Sequence, residues 1–334
     1  MIGIILCGGY SKRLRSIIGD IPKALLELKD GYTILDKQLL GYSSAGFNRV
    51  FLLAGYQSEK IRQKCGDRYK GLDIEYINEK ESLGTLNAIR LILEETDEDL
   101  MVSDGDVVAD INLKRMNQKF QRLHPQVLIF IARMQSPYDI VRFKDRCMVS
   151  SKGKQQPNCF INGGYYCLSR NILSRIKDFK MGNIEKTIFP RLRACGRLAY
   201  YKEEGKQFWA TIDRIEDIEN VKKEYLNRMD KPWGHEKLLK LTNKRMEKLL
   251  FIMAGYRTSF HYHKVKEETF YVVKGAGWIE FENGRQKKFR EGTKIHIKPG
   301  VIHGTVASKN TLIHEVSTPY LEDVVRIKDF YGAR

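Results

Sequence analysis

Apolar residues follow two different rhythms along this chain, and the change between them divides it. In the first two thirds, Ile2, Ile4, Ile5 and Leu6, then VFLLAGY (50–56), LDIEYIN (72–78), DLMVSDGDVV (99–108) and VLIFIARM (127–134) read as buried strands. Helical spacing lies between them. SEKIRQKCG (58–66) predicts a short helix closed by Gly66, and SLGTLNAIRLILEE (82–95) sets Leu86, Ile89 and Leu93 on one face with Ile92 beside them. Alternating strands and helices predict an α/β domain with a mostly parallel sheet covered by helices on both faces. Ligands of such sheets sit beyond the carboxyl ends of the strands, where Gly8, Gly9 and Asp106 fall.

From about residue 231 the rhythm shortens. TFYVVKG, GWIEFENG, KIHIKPG and TLIHEVS are brief β-rich runs punctuated by glycine, the pattern of a small all-β barrel or sandwich. Six of the seven histidines lie in this part. The expected division is 1–226 for the first domain and 231–334 for the second. The joint is expected in IEDIENVKKEYLNRM followed by DKPWG, with Pro232 ending the helix. No long Gly/Ser linker separates the halves, which leaves them free to pack together.

Composition narrows the classes. Over 334 residues, 42% hydrophobic and 10% aromatic content describes a globular chain. No run approaches the roughly 18 apolar residues of a membrane span. The first strand starts within two residues of Met1, which leaves no room for a signal peptide and makes a cytoplasmic location the expectation. Cys7, Cys65, Cys147, Cys159, Cys167 and Cys195 form no CxxC pair and are expected to be reduced thiols. The formal net charge of +17 would suit a nucleic-acid binder, but it is spread over both halves without a dense basic run. A lysine-rich surface that attracts anionic phosphate substrates is the better reading, and neither a nucleic acid nor a membrane is an expected partner.

The candidate chemistry begins with LCGGYSKRLR (6–15) and IPKALLEL (21–28). A buried strand runs into two glycines, whose missing Cβ atoms let backbone N–H groups approach phosphate oxygens. Arg13, and Lys23 behind a rigid proline, supply charge to neutralise a triphosphate.

With Gly8, Gly9, Arg13, Leu14, Pro22, Lys23 and Leu25 in place, this opening resembles the GGxGxRL…PKxL signature of the sugar-1-phosphate nucleotidyltransferases. EKESLGTLNAI, SDGDVVADINL, FINGGYYCLS, NIEKTIFPRL and FWATIDRIEDIENVKK resemble later segments of that family in the same order, so the likeness covers about the first 220 residues. It implies a Rossmann-like domain in which a sugar-1-phosphate oxygen attacks the α-phosphorus of a nucleoside triphosphate and pyrophosphate leaves. Arg13, Lys23 and Asp106 are the implied catalytic residues. Leu6, Gly8, Gly9, Ser11, Gly84 and Thr85 would contact the nucleotide, and Asn162, Gly164 and Glu185 the sugar phosphate, with Tyr166 in register. Asp106 would hold Mg²⁺, with Asp213 the candidate second carboxylate.

Three departures bear on this. Ser11 replaces a usual glycine, Thr211 stands at a usual Asp position, and no E-K-P segment is present, which leaves Lys152 or Lys154 for the sugar phosphate. RSIIGDIPKAL, SLGTLNAI and NIEKTIFPRL most resemble enzymes that activate mannose or manno-heptose 1-phosphate with GTP. A cytidylyltransferase and a non-catalytic nucleotide-sugar sensor are the alternatives.

The last third resembles the cupin superfamily, in particular the domain of type II mannose-6-phosphate isomerases. Gly255, His261, His263, Glu268 and Gly275 meet its first motif, and Gly292, Pro299, Gly300 and His303 part of its second. Two residues apart on a strand, His261 and His263 share a face. With Glu268 and His303 they would hold Zn, Mn, Fe or Ni, Glu267 being the fallback ligand. Isomerisation or simple binding of a sugar phosphate is implied, with Glu315 or Lys264 as base. A homodimer through either domain is the expected assembly.

Overall fold

Ile2–Leu6 lies at the centre of an eight-stranded sheet because both of its faces are apolar. Ile2 and Ile4 pack against Leu86, Ile89, Ile92 and Leu93 of the helix Thr85–Glu95, while Ile5 packs against Leu35, Leu39 and Tyr42 of the helix Ile34–Ala45. Each such side chain taken out of water contributes about 1.5–3 kcal/mol. Gly3 has no Cβ to collide with the Tyr42 ring, so the Tyr42 hydroxyl lies within hydrogen-bond reach of the carbonyls of Ile4 (3.2 Å) and Met101 (3.0 Å). The computed structural model describes residues 1–8, 14–55, 57–78, 84–135, 140–144, 147–151, 155–179, 181–205 and 207–332. At 17, 78, 134–135, 140–144, 147–151 and 155–158 it describes the backbone alone.

The sheet runs Leu198–Tyr201, Val127–Gln135, Gln155–Leu168, Leu100–Asp104, Ile2–Leu6, Arg49–Ala54, Leu72–Asn78 and the two-residue edge Arg68–Tyr69. Ile2–Leu6 is parallel to both neighbours, and Gln155–Leu168 is antiparallel to both of its own. This is the mostly parallel α/β sheet expected. The helix Ser58–Cys65 ends at Gly66 with φ +62°, as its sequence predicts.

Two expectations need correction. DLMVSDGDVV is not one strand. Leu100–Asp104 belongs to the large sheet, whereas Val107–Ala109 pairs with Trp209–Thr211 in a separate ribbon. The break is Gly105, whose N–H donates to the Leu6 carbonyl at 3.1 Å and where a Cβ would lie 2.5 Å from that oxygen. Nor does Pro232 end the linking helix, which spans Ile215–Tyr225. Asn227 turns the chain at φ +61°, and Arg228–Lys231 already pairs with Gly234–Leu241. Pro232 sits in the turn between those two strands.

The second part is the expected small all-β unit. A six-stranded sheet that includes Met246–Ile252, Glu268–Lys274 and Thr311–Ser317 joins a five-stranded sheet that includes Phe260–Tyr262, Ala276–Phe281 and His303–Ala307. Leu250, Phe270, Ile279, Phe289 and Ile313 fill its core.

The two parts dock through buried charge. Arg228, 2% exposed, donates to Asp110 (Nη1, 3.1 Å) and Asp230 (Nη2, 2.8 Å), and Lys37 donates to the same two carboxylates at 3.0 and 3.2 Å. Asn112 donates to the Ala254 carbonyl at 2.9 Å. Asp110, Asp230 and His235 are close enough to share an ion, but the two cations already neutralise the carboxylates.

Candidate active site and metal centre

A cleft of about 350 Å³ opens beyond the carboxyl ends of Ile2–Leu6 and Leu100–Asp104, where parallel topology leaves room for a ligand. Leu6, Gly8, Lys23, Gly84, Thr85, Asp106 and Glu185 of the sequence-derived set line it, joined by Cys7, Asp104 and Asn183. Gly9, Ser11 and Arg13 lie outside the described residues, as do Lys152 and Lys154.

Pro22 precedes the single helical turn Lys23–Leu25, which delivers the lysine into the cleft. The Lys23 ammonium donates to Asp106 Oδ2 at 3.1 Å and to Asp213 Oδ1 at 3.0 Å. Burial works against that charge, but Asp106 and Asp213 outweigh it and hold the ammonium above its ordinary pKa. Asp106 and Asp213 meet because the ribbon pairs Thr211 with Val107, and the Ile212 N–H donates to the Asp106 carbonyl at 3.1 Å. The Asp213 N–H is in turn held by Asp217 Oδ2 at 3.0 Å. Two carboxylates around one ammonium form an oxygen-rich, charged end suited to a hard divalent cation and phosphate oxygens.

The other end of the cleft is acidic. The Tyr166 hydroxyl donates toward Glu185 Oε1 (3.0 Å) and Asp104 Oδ2 (3.4 Å) and accepts from Asn162 Nδ2 (2.8 Å). Asn162 Oδ1 accepts the Gly164 N–H at 3.0 Å, and Gly164 sits at φ +74° with no room for a Cβ beside Val107 and Asp104. Burial, then Asp106 and Glu185, push the Asp104 carboxyl up to about 8. Sequence reasoning missed Asp104. Its only signal was a second acid two residues before Asp106.

In the β unit, a cavity of about 430 Å³ holds His261, His263, Glu268 and His303 together, with Leu40 and Lys70 of the first part also in its lining. One ligand atom from each of His261, His263 and Glu268 lies within 4.8 Å of the others. His263 Nε2 is 3.3 Å and His303 Nε2 3.5 Å from the Glu268 carboxylate. Each imidazole Nδ1 faces a backbone carbonyl: Ser259 for His261 (2.9 Å), Val301 for His303 (3.0 Å) and Asp323 for His263. That assigns the proton to Nδ1 and leaves Nε2 free as a ligand. His303 Nε2 and Glu268 Oε2 are buried without a hydrogen-bond partner among the described residues, which fits a bound cation between them.

Of the two candidate bases, Glu315 lines the cavity. Lys264 is exposed, whereas Lys266, 4% exposed, donates to Glu268 Oε1 and Glu315 Oε1, both at 2.7 Å. Glu267 is exposed and pairs with His296. Among the described residues, Cys7, Cys65, Cys167 and Cys195 are free thiols. No described helix is long and apolar enough to cross a membrane.

Comparison with known proteins gives the family of each part. Residues 249–314 match the cupin domain. The chain is 29% identical over 229 residues to the mannose-1-phosphate guanylyltransferase catalytic subunit beta of Xenopus tropicalis, covering 65% of this chain and 62% of that protein. The chain thus spans less than two thirds of that relative. It is 30% identical over 195 residues to D-glycero-alpha-D-manno-heptose 1-phosphate guanylyltransferase of Aneurinibacillus thermoaerophilus, covering 56% of this chain and 84% of that one. The solved structure of HddC from Yersinia pseudotuberculosis shares the fold at TM-score 0.53 and 23% identity, over 67% of this chain and 99% of its own. Residues 2–228 match the nucleotidyl transferase family, and the chain belongs to it, with a cupin domain attached.

Proposed function

We propose that residues 1–226 transfer a nucleotidyl group, from GTP, to a sugar 1-phosphate of the mannose or manno-heptose type, and that residues 231–334 form a distinct metal-holding unit. The observation that carries this reading is Lys23 held between Asp106 and Asp213 at the glycine-lined end of the cleft. The relatives named for mannose and manno-heptose 1-phosphate support the choice of sugar and base.

In this reading a phosphate oxygen of the sugar 1-phosphate forms the new bond to the α-phosphorus, and the bond to the β-phosphate oxygen breaks as pyrophosphate leaves. The nucleophile is already an oxyanion, so the residues here position charge rather than remove a proton. Gly8 would bring its backbone N–H to the phosphates and Lys23 would offset their charge, the roles the family resemblance also implies for Gly9 and Arg13. Asp106 and Asp213 would hold Mg²⁺, which when bound supplies Lewis-acid stabilisation of the phosphate oxygens. In the cupin, His261, His263, Glu268 and His303 would hold Zn, Mn, Fe or Ni for binding or isomerising a sugar phosphate. The reaction is assigned to the cytoplasm, where its triphosphate donor is found, and the assembly to a homodimer.

The test incubates the full chain with Mg²⁺, each of the four nucleoside triphosphates and a panel of sugar 1-phosphates, and identifies products by mass. A GDP-sugar with stoichiometric pyrophosphate is expected. No nucleotide sugar from any pair would refute the assignment.

A further inference from the structure

We infer that Asp104 selects the sugar: together with Glu185 it offers carboxylate oxygens that accept hydrogen bonds from hydroxyl groups of the sugar 1-phosphate. This rests on the reaction proposed above.

Asp104 ends the strand Leu100–Asp104, and Glu185 comes from the segment Ile184–Thr187; the two converge on one hydroxyl, that of Tyr166. A phenol has a single proton. Given to Glu185 at 3.0 Å, it leaves Asp104 with a long 3.4 Å contact. Glu185 Oε2 is buried and has no hydrogen-bond partner among the described residues. Glu185 Oε2 is therefore a buried acceptor for which the described residues supply no donor. A buried acceptor without a donor is costly, and a ligand rich in hydroxyl donors satisfies it.

Space is kept for the Asp104 carboxylate. A Cβ at Gly164 would lie 2.9 Å from Asp104 Oδ2, so the absence of a side chain there leaves the carboxylate at the edge of the cleft. Charge also has a direction. Lys23 provides positive charge near Asp106, while Glu185 presents its carboxylate to Tyr166. A sugar 1-phosphate is polar in the same sense, with an anionic phosphate at one end and neutral hydroxyl donors at the other. The acidic end repels phosphate and accepts from hydroxyls, so it orients the acceptor as well as choosing it.

The test uses the full chain with Asp104→Asn, which keeps the shape, and Asp104→Leu, which removes the acceptors. Each is assayed with the best sugar 1-phosphate and with its deoxy analogues, each lacking one hydroxyl. A site built around a hydroxyl rejects the analogue lacking it. Wild-type protein should discriminate against at least one analogue, and Asp104→Leu should lose that discrimination. Its KM for the intact sugar should rise on the order of tenfold, and Asp104→Asn should fall between. The KM for the triphosphate and the Mg²⁺ requirement should stay as in wild type.

An unchanged sugar KM in both variants overturns the inference. So does a shift in Mg²⁺ requirement, which would make Asp104 a metal ligand, or a shift in base preference, which would make it a reader of guanine. Complete loss of turnover in Asp104→Asn with normal melting also counts against it, since the residue would then act in the chemistry itself. A wild-type protein that makes no nucleotide sugar refutes the reaction, a result distinct from an active enzyme indifferent to Asp104.

Discussion

Lys23 and Asp213 stand 190 positions apart in the chain and 3.0 Å apart in space. The contact joins the helical turn Lys23–Leu25 to the residue two beyond the strand Trp209–Thr211, which itself pairs with the strand following Asp106. Lys23 is 18% and Asp213 45% exposed, and ion pairs open to water to this degree contribute about 0–1 kcal/mol. The arrangement therefore adds little stability. Its consequence is chemical: cation and carboxylates sit where a triphosphate and its metal would be gripped.

Asp213→Asn should consequently leave the fold intact while impairing transfer. Turnover should fall on the order of 10²-fold, the range seen when one electrostatic anchor is removed, and more Mg²⁺ should be needed for half-maximal rate. Melting should move little. Turnover measured against Mg²⁺ concentration checks this. Wild-type turnover with an unchanged Mg²⁺ requirement would remove Asp213 from the site.

The buried charges between the domains predict the reverse, a large stability effect. Asp110→Ala leaves Arg228 and Lys37 short of a counter-ion, and breaking such a buried pair costs about 3–5 kcal/mol. Acid should act in the same direction. Burial by itself would raise the Asp110 pKa, but Arg228, Lys37 and His235 hold it well below the usual carboxylate range. Its contribution is thus complete above the unfolded value of about 3.9 and is lost as pH falls through the lower folded value. Denaturation curves between pH 7 and pH 3 should show stability declining at the acid end, and less decline in Asp110→Ala.

Local signals were legible in the sequence wherever neighbours in the chain are neighbours in space. The strand Ile2–Leu6 and the Gly66 helix stop depend on contacts within a few residues; His261 and His263 both line the cupin cavity, although the strand ends at Tyr262, before His263. The partner of Arg228, in contrast, lies 118 positions away at Asp110, and no periodicity announces such a pairing. Lys266 was missed for a related reason. Lys264 to Glu267 lie between the strands Phe260–Tyr262 and Glu268–Lys274, so alternation gives no rule for which lysine turns inward. Backbone bonds to Asp323 shape that connection, drawing in the N–H groups of Lys264, Val265 and Lys266. The helix stop assigned to Pro232 comes earlier because Asn227 takes up the left-handed turn that delivers Arg228 to its buried partners.

The imidazole arrangement in the cupin predicts metal dependence at the level of individual ligands. His261→Ala should lose most of the transition metal that copurifies with the wild-type chain, measured by elemental analysis after dialysis. Asp106→Ala, altered in the other domain, should retain it. Lys266→Met removes the ammonium bonded to Glu268 and Glu315, leaving two buried carboxylates without their shared donor. It should destabilise the cupin by about 3–5 kcal/mol in the metal-free chain, and by less when metal is present to neutralise Glu268. Equal metal content in His261→Ala and wild type would show that the ion sits elsewhere.

Gly84→Ala separates backbone strain from damage to the cleft. Gly84 lies at φ +87°, and a Cβ there would be 2.3 Å from the Gly182 carbonyl oxygen, a backbone atom that no rotamer change can move. The same carbonyl accepts the Leu86 N–H at 3.1 Å, and Thr85 Oγ1 accepts the Ile184 N–H at 3.2 Å. These bonds fasten the start of the helix Thr85–Glu95 to the segment that carries Asn183 and Glu185, so pushing Gly84 and Gly182 apart must widen the cleft. Gly31 is the matched control: it lies at φ +70° with nothing within 4 Å of a built Cβ. Gly31→Ala should cost only the left-handed strain, about 1 kcal/mol, and leave kinetics unchanged. Gly84→Ala should cost at least twice that in melting experiments and raise the KM for both triphosphate and sugar 1-phosphate. If the two variants lose equal stability and keep wild-type KM values, the contact between residues 84 and 182 does not shape the cleft.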